Sequence, residues 1–367
     1  MYHCATAISY GMEEQIFTIF NAVRIFTVAT LAFFVAMVLT PLWTKVLYRY
    51  KLGKQLRTEG APIFNQLHKA KEGTPTMGGV VIWITVLILT LLFWFVAQHV
   101  DGFWSKVNFF SRAQTWLPLG ALIVAALFGL LDDILGVLRI GPKGGGLQMR
   151  YRLLLYALVA VGGAWWFFFK LDFNTINIPF LGDVAVGWWY ILFFIFMIVA
   201  TSFSANETDG LDGLAGGVFL TMFAAYGAIA FDQGRMDLVT FIAAIMGALV
   251  AFLWFNIYPA KFFMGDTGSM SLGVVLGVIA MLTNTPFLLI PIGIIFVIES
   301  GSVIIQLISK RLRHKKIFLS TPIHHHFEAK GWPETKVTMR FWMISAIGAI
   351  IGLIIFLVDS KLPPFFH

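Results

Sequence analysis

Apolar runs of about 20 residues, long enough to cross a bilayer as helices, recur along the chain. Hydropathy sets ten of them, near 18–46, 77–97, 117–138, 152–169, 187–203, 214–231, 238–258, 270–284, 286–309 and 338–358. They predict an all-α polytopic membrane protein with about ten transmembrane helices. No internal repeat or low-complexity stretch interrupts the series, so residues 1–367 read as a single integral-membrane domain, with no sign of an inverted-repeat transporter. Pro286 and Pro291 predict a kink at the start of the ninth span. Between the fourth and fifth spans, Asn174-Thr175-Ile176-Asn177-Ile178 alternates in polarity and predicts a small strand pair. Trp165, Trp166, Trp188 and Trp189 flank it where an interfacial belt belongs.

Charge orients the series. Segments after the odd-numbered spans hold 20 of the 26 Lys and Arg residues, and those on the other side hold 5; Arg24 lies within the first span. The positive-inside rule then predicts catalytic loops in the cytoplasm and both termini in the periplasm. The net charge of +7 follows from this asymmetry and calls for no nucleic acid. A chain that is 59% hydrophobic and 12% charged is not a soluble domain. Cys4 is the one cysteine, so disulfides within the chain and cysteine metal sites are excluded. The first residues lack the basic start and short apolar core of a cleavable signal peptide, so the first span is expected to stay in the membrane.

One inward loop breaks the charge rule. Asn206-Glu207-Thr208-Asp209-Gly210-Leu211-Asp212-Gly213 carries three carboxylates and no cation. On a helix, Asp209 and Asp212 would share a face. Gly210 and Gly213 would let a ligand approach the backbone. A divalent metal holding phosphates suits such a set; a polar loop with helix-capping acids is the simpler reading.

Four other constellations fall on the same membrane face. Asp132-Asp133 ends the third span, and adjacent helical residues point about 100° apart, so one can face a metal and the other a substrate; a pair solvated by interfacial water is the alternative. Asp266, in Phe263-Met264-Gly265-Asp266-Thr267-Gly268-Ser269, lies in a turn whose amides can cradle phosphate, or caps the following helix; Asn256 lies just upstream. Lys71 and Thr76, in Lys71-Glu72-Gly73-Thr74-Pro75-Thr76-Met77-Gly78-Gly79, suit a phosphate or nucleotide contact without being a Walker P-loop, or are ordinary inward lysines before a helix cap. His324-His325-His326 can donate hydrogen bonds or relay a proton beside phosphates, or form a solvated basic turn. The basic stretch Lys310 to Lys316 before it reads as a surface drawn to anionic membrane lipid. Deeper, Glu299 and Gln306 are seven residues apart and share a helix face, lining a groove or pairing with another helix.

These residues together resemble the bacterial phospho-N-acetylmuramoyl-pentapeptide transferases, within the polyprenyl-phosphate N-acetylhexosamine-1-phosphate transferase superfamily. The motifs that carry the resemblance are Gly73 to Gly79, Asp132-Asp133, Asn206 with Thr208 to Ala215, Phe263 to Asp266, Pro322 to His326 and Lys330 to Glu334. The resemblance implies transfer of phospho-MurNAc-pentapeptide from UDP-MurNAc-pentapeptide to undecaprenyl phosphate, giving lipid I and UMP, at the bacterial cytoplasmic (inner) membrane. It implies Mg²⁺ with Asp266 as its ligand. It makes Asp132, Asp133, Asp266, His324, His325 and His326 the catalytic set. It assigns substrate contacts to Lys71, Thr76, Asn206, Asp209, Asp212, Asn256 and Phe263, with Phe263 stacking on uracil, and more weakly to Gln306. A homodimer and inhibition by nucleoside antibiotics come with it. Glu207 departs from the pattern, which has an apolar residue there, and adds negative charge beside Asp209.

Physical chemistry points the same way. A phosphate on a long lipid leaves the membrane only at about 0.8 kcal/mol per buried CH₂, and a nucleotide sugar cannot enter it, so the two must meet at the interface. The rival readings are a transferase of another UDP-sugar, an ion-coupled transporter using Glu299 and Arg24 at depth, and a zinc hydrolase using the histidines, for which the spaced H-E-x-x-H ligands are absent.

Overall fold

The computed structural model describes residues 2–53, 71, 73–112, 114–141 and 145–361, with side chains from Thr18 onward. Lys54, Arg57, Lys69, Glu72 and Lys143 lie outside the described residues.

The helices run α1 (Tyr2–Arg49), α2 (Val80–His99), α3 (Phe103–Lys106), α4 (Trp116–Val137) and α5 (Met149–Lys170). The hairpin of β1 (Thr175–Ile178) and β2 (Gly182–Ala185) follows, antiparallel, with Thr175 opposite Ala185, at the expected strand pair. Then come α6 (Trp189–Thr208), α7 (Leu214–Asp232), α8 (Met236–Asn256), α9 (Asp266–Leu282), a 3₁₀ turn (Pro286–Leu288), α10 (Leu289–Ile292), α11 (Ile294–Arg313), α12 (Ile323–Ala329) and α13 (Glu334–Lys361). Among the described residues, α1, α2, α4 to α8 and α13 are the 8 helices long and apolar enough to cross a membrane. The chain is an all-α multi-pass membrane protein.

The eighth and ninth apolar runs depart from simple spans. The ninth is broken, with its two parts bent by 85°. Pro286 and Pro291, which cannot donate to a helical ladder, lie in the short first part, and Gly293 marks the break. The eighth, α9, has only 17 residues, and Thr267 to Leu282 are all buried. Encased by protein, it does not need the length of a helix that faces lipid.

Small residues bring the neighbours of α9 close. A Cβ on Gly273 would lie 2.8 Å from that of Ala205 on α6, and one on Gly277 would lie 2.6 Å from Thr201 Oγ1. A Cβ on Gly129 of α4 would collide with the backbone of Asp266. Where apolar burial gives no preference for helix over lipid, such close approach supplies the packing attraction. It sets the ends of α4 and α6 beside the first turn of α9. On the other side α1 packs along α8, where a Cβ on Gly247 would collide with the Ala29 carbonyl. Arg24 closes that seam with an ion pair to Asp237 at 2.6 Å and a hydrogen bond to the Asn108 carbonyl at 2.7 Å.

Candidate active site

Four helices deliver one polar residue each to a single point. Arg152, in the first turn of α5, places Nε 2.6 Å from Asp132 Oδ2 of α4 and Nη2 3.0 Å from Asp266 Oδ2 of α9. Its Nη1 donates to Asn206 Oδ1 in the last turn of α6, at 3.3 Å. The Asn206 amide also donates to Asp266 Oδ1 and, at 3.4 Å, to Ser269 Oγ. Asp132 is buried and accepts the Leu147 N–H at 2.5 Å as well. Two carboxylates in a chain this apolar are stable only with such a partner. Asp266 begins α9, yet the helix has no side-chain cap, so its carboxylate is turned to the arginine rather than to its own helix end.

Asp133 faces elsewhere, as the 100° step requires. It accepts Thr76 Oγ1–H at 3.2 Å and Thr267 N–H at 3.0 Å, tying the loop before α2 to the start of α9. Gly265, with φ +76°, passes under this pair: a Cβ there would lie 2.6 Å from Asp133 Oδ2 and 2.7 Å from Thr76 Oγ1. Gly78 and Gly79 donate to the carbonyls of Phe263 and Met264, both at 2.8 Å, and Phe263 N–H donates to Pro75 O at 2.8 Å. The glycine amides before α2 therefore hold the Phe263 loop. Gly265 N–H goes to Asp209 Oδ2 at 3.1 Å. In both turns the expected phosphate cradle is replaced by internal pairing, which leaves cations to meet an anionic ligand.

Asp209 and Asp212 lie in the turn between α6 and α7, not on a helix, so they share no helix face. Asp209 reaches the α9 side. Asp212 is buried, pairs with Lys71 Nζ at 2.6 Å and accepts Ala260 N–H at 3.0 Å. Lys71 also pairs with Glu334, in the first turn of α13, and its Nζ lies 5.8 Å from the centre of the half-exposed Phe263 ring. Glu334 in turn accepts Asp212 N–H at 2.6 Å. Asn256 is buried at the end of α8, accepting Gly213 N–H at 3.0 Å and donating to Phe262 O at 2.8 Å. Arg152 thus gathers Asp132, Asn206 and Asp266, while Lys71 gathers Asp212 and Glu334 as a second polar group.

The histidines are not a solvated turn. They lie on α12 and face three partners. His324 is fully buried, with Nδ1 3.0 Å from Glu299 Oε2 and its Nε2 edge against Gly210, where any Cβ would collide with the ring. Gly210 therefore makes room for His324 rather than for a ligand. His325 Nδ1 lies 2.7 Å from Glu328 Oε2. His326 Nδ1 accepts Leu319 N–H at 3.1 Å; desolvation and then Lys330 hold its pKa below the usual histidine value. Gln306 engages the loop before α12, accepting from Ile317 and Phe318 N–H at 2.9 and 3.1 Å and donating to Phe318 O at 2.9 Å.

Comparison with known proteins decides the family. Residues 71–82 match the phospho-N-acetylmuramoyl-pentapeptide-transferase signature 1, and residues 115–284 match glycosyl transferase family 4. A phospho-N-acetylmuramoyl-pentapeptide-transferase of Listeria monocytogenes serovar 1/2a is 40% identical over 88% of this chain and 95% of its own. Those of Anoxybacillus flavithermus and Geobacillus sp. are 40% and 37% identical over 89% of this chain and 96% and 95% of theirs. The chain belongs to the phospho-N-acetylmuramoyl-pentapeptide-transferase family.

Within that family assignment, Arg152 and Glu334 are the residues that sequence reasoning missed. By sequence Arg152 is one more inward cation, and Glu334 is only the end of the Lys330 to Glu334 motif, with no role assigned. A usable signal existed for Arg152: acids ending two apolar helices need a nearby cation, and Arg152 enters the span that follows the first pair. Glu299 was weighed as a groove or pairing residue, and it pairs with His324.

Proposed function

We propose that this chain transfers phospho-MurNAc-pentapeptide from UDP-MurNAc-pentapeptide to undecaprenyl phosphate, releasing UMP and forming lipid I. The observation that carries the proposal is the convergence of Asp132, Asp266, Asn206 and Arg152 at the ends of four membrane helices, with Lys71 nearby on the Asp212 and Glu334 carboxylates. The reading places this face in the cytoplasm and both termini in the periplasm of a bacterial inner membrane, following the cation asymmetry. A homodimer and inhibition by nucleoside antibiotics go with it.

The donor set suits Mg²⁺. Oxygens of two carboxylates and one amide already converge on a single cationic group. Magnesium usually takes one or two carboxylates and completes its shell with water and substrate phosphates, and Asp132 and Asp266 would supply those carboxylates. Asp266 would hold the ion, with Asp132 beside it. When bound, the ion supplies charge neutralisation between two phosphorylated substrates.

The residues supply the rest. Lys71, fixed by two carboxylates and near Phe263, is placed to bind the nucleotide diphosphate while Phe263 stacks on the base. Arg152 orients the acceptor phosphate between the two acids. An oxygen of the acceptor phosphate attacks the sugar-linked phosphorus, the bond to the bridging oxygen breaks, and UMP leaves. Positioning and electrostatics dominate such phosphoryl transfers. Purified protein in detergent, given both substrates and Mg²⁺, is expected to release UMP only when the lipid acceptor is present. Substrate uptake without UMP release would support a transporter instead. A phospho-enzyme trapped on Asp132, Asp133 or Asp266 without acceptor would replace direct attack by a covalent route.

A further inference from the structure

The contact between Asp132 and Arg152 is close but poorly aligned. Nε and Oδ2 lie 2.6 Å apart, yet both atoms are buried and neither has a hydrogen-bond partner among the described residues. The Nε–H therefore does not point along the line to that oxygen. Charge holds the pair together, while the hydrogen-bonding capacity of both atoms goes unused. A buried carboxylate oxygen so placed is a ready ligand for a hard cation, which needs a lone pair and no donated hydrogen.

The carboxylate is fixed independently of the arginine. Leu147 N–H donates to Asp132 Oδ1 at 2.5 Å, which secures one oxygen and leaves the other to a cation. The guanidinium, in contrast, has room to leave. Its side chain keeps 16% exposure in the first turn of α5, next to exposed Arg150 and Tyr151. Gly146, at φ +80°, turns the preceding loop beside it. A Cβ there would lie 3.2 Å from Asp132 Oδ1 and 3.6 Å from Arg152 Nη2, on the side where this glycine leaves space.

We propose that Arg152 is an exchangeable counterion: it competes with the divalent cation for Asp132 and Asp266, and yields them by turning its guanidinium onto the phosphate of the lipid acceptor. The proposal rests on the transferase reading above and adds a second duty to the orienting role given there. Asp132, Asp266 and Arg152 together carry one net negative charge. Arginine does not lose its proton in proteins, so it cannot relieve crowding by titrating and has to move. With a divalent ion on the two acids, the same set carries one net positive charge. A phosphate is repelled by the first arrangement and attracted by the second.

The test measures binding apart from turnover. Purified protein without substrates is titrated with Mn²⁺ and followed by electron paramagnetic resonance in wild type, Arg152→Met, Arg152→Lys and Arg150→Met. Methionine removes the charge and adds no oxygen ligand. Arg150, exposed two residues away, controls for the loss of one positive charge near the site. Arg152→Met is expected to bind Mn²⁺ about tenfold more tightly than wild type, the scale of one lost charge-assisted pair. Arg152→Lys should fall between the two, and Arg150→Met close to wild type. Thermal unfolding gives the second readout. In chelator, Arg152→Met should unfold at a lower temperature than wild type, because its two acids lack their counterion. Saturating Mn²⁺ should then raise its midpoint by more than that of wild type. Mn²⁺ affinity unchanged or weaker in folded Arg152→Met overturns the proposal, since the arginine would then share the acids with the ion or help to hold it. So does an equal gain in Arg150→Met, which would make the effect one of net charge. If Arg152→Met does not fold, Arg152→Lys decides, and wild-type affinity there overturns the proposal. A wild-type protein that binds Mn²⁺ but releases no UMP from both substrates would instead defeat the transferase reading itself.

Discussion

His324 Nδ1 lies 3.0 Å from Glu299 Oε2, and neither residue has exposed surface. The contact joins α12 to α11, the longer part of the broken ninth span. It also aims the other ring edge at Gly210, one residue from Asp209. Buried polar groups need partners, and a lone survivor bears the desolvation penalty. Glu299→Ala is therefore expected to destabilise the protein by about 1–3 kcal/mol, with Glu299→Gln milder because its amide oxygen still accepts. Thermal unfolding of both variants checks the order, and equal midpoints would contradict it.

Arg152 bridges acids from two helices, so its charge and its fork both matter. Arg152→Gln is expected to lower UMP release by about 10²–10³-fold, the usual scale for losing one preorganised donor. Arg152→Lys keeps the charge but not the span across Asp132, Asp266 and Asn206, and should fall between Gln and wild type. Steady-state UMP release measures all three.

Glu334 holds Lys71 and the Asp212 amide together. Glu334→Gln retains an acceptor for the amide and removes one of the two carboxylate charges paired with Lys71. The expected outcome is a KM for the UDP-sugar raised roughly tenfold, about 1.4 kcal/mol, with kcat changed little. That split marks binding shared by ground and transition states. A fall in kcat at constant KM would give Lys71 a different role.

His326 has its pKa lowered by desolvation and by Lys330. The unfolded chain binds this proton more tightly, so the group's contribution to stability is lost as pH falls from the ordinary value of about 6.5 towards the folded one. Its NMR titration in the folded protein should have a midpoint under that value. The His326→Gln variant should lose less stability on acidification to pH 5.5 than wild type.

Much of this was legible in the sequence for a physical reason. Runs of 20 apolar residues have few alternatives to a membrane helix, and acids beside lipid stand out. Asp132 and Asp266 share Arg152, while Asp212 pairs with Lys71. What a linear reading could not supply was the environment of each segment. The α9 run is short because protein surrounds it, and the amides at Gly78, Gly79 and Gly265 looked available because their acceptors lie far away in sequence. Asp209 and Asp212 suggested a shared helix face by spacing alone, yet Gly210 and Gly213 place them in a turn. Arg152 could not be told from topological cations until Asp132, Asn206 and Asp266 were seen around it.

The central claim is that Asp132 and Asp266 form one divalent-cation pocket at the ends of α4 and α9. Electron paramagnetic resonance of Mn²⁺, titrated into the purified protein with the UDP-sugar present, tests it directly. One tightly bound ion per chain is expected for wild type and for Asp237→Asn, with binding weakened at least tenfold in Asp266→Asn and in Asp132→Asn. Undiminished stoichiometric binding in both of those variants would contradict the account.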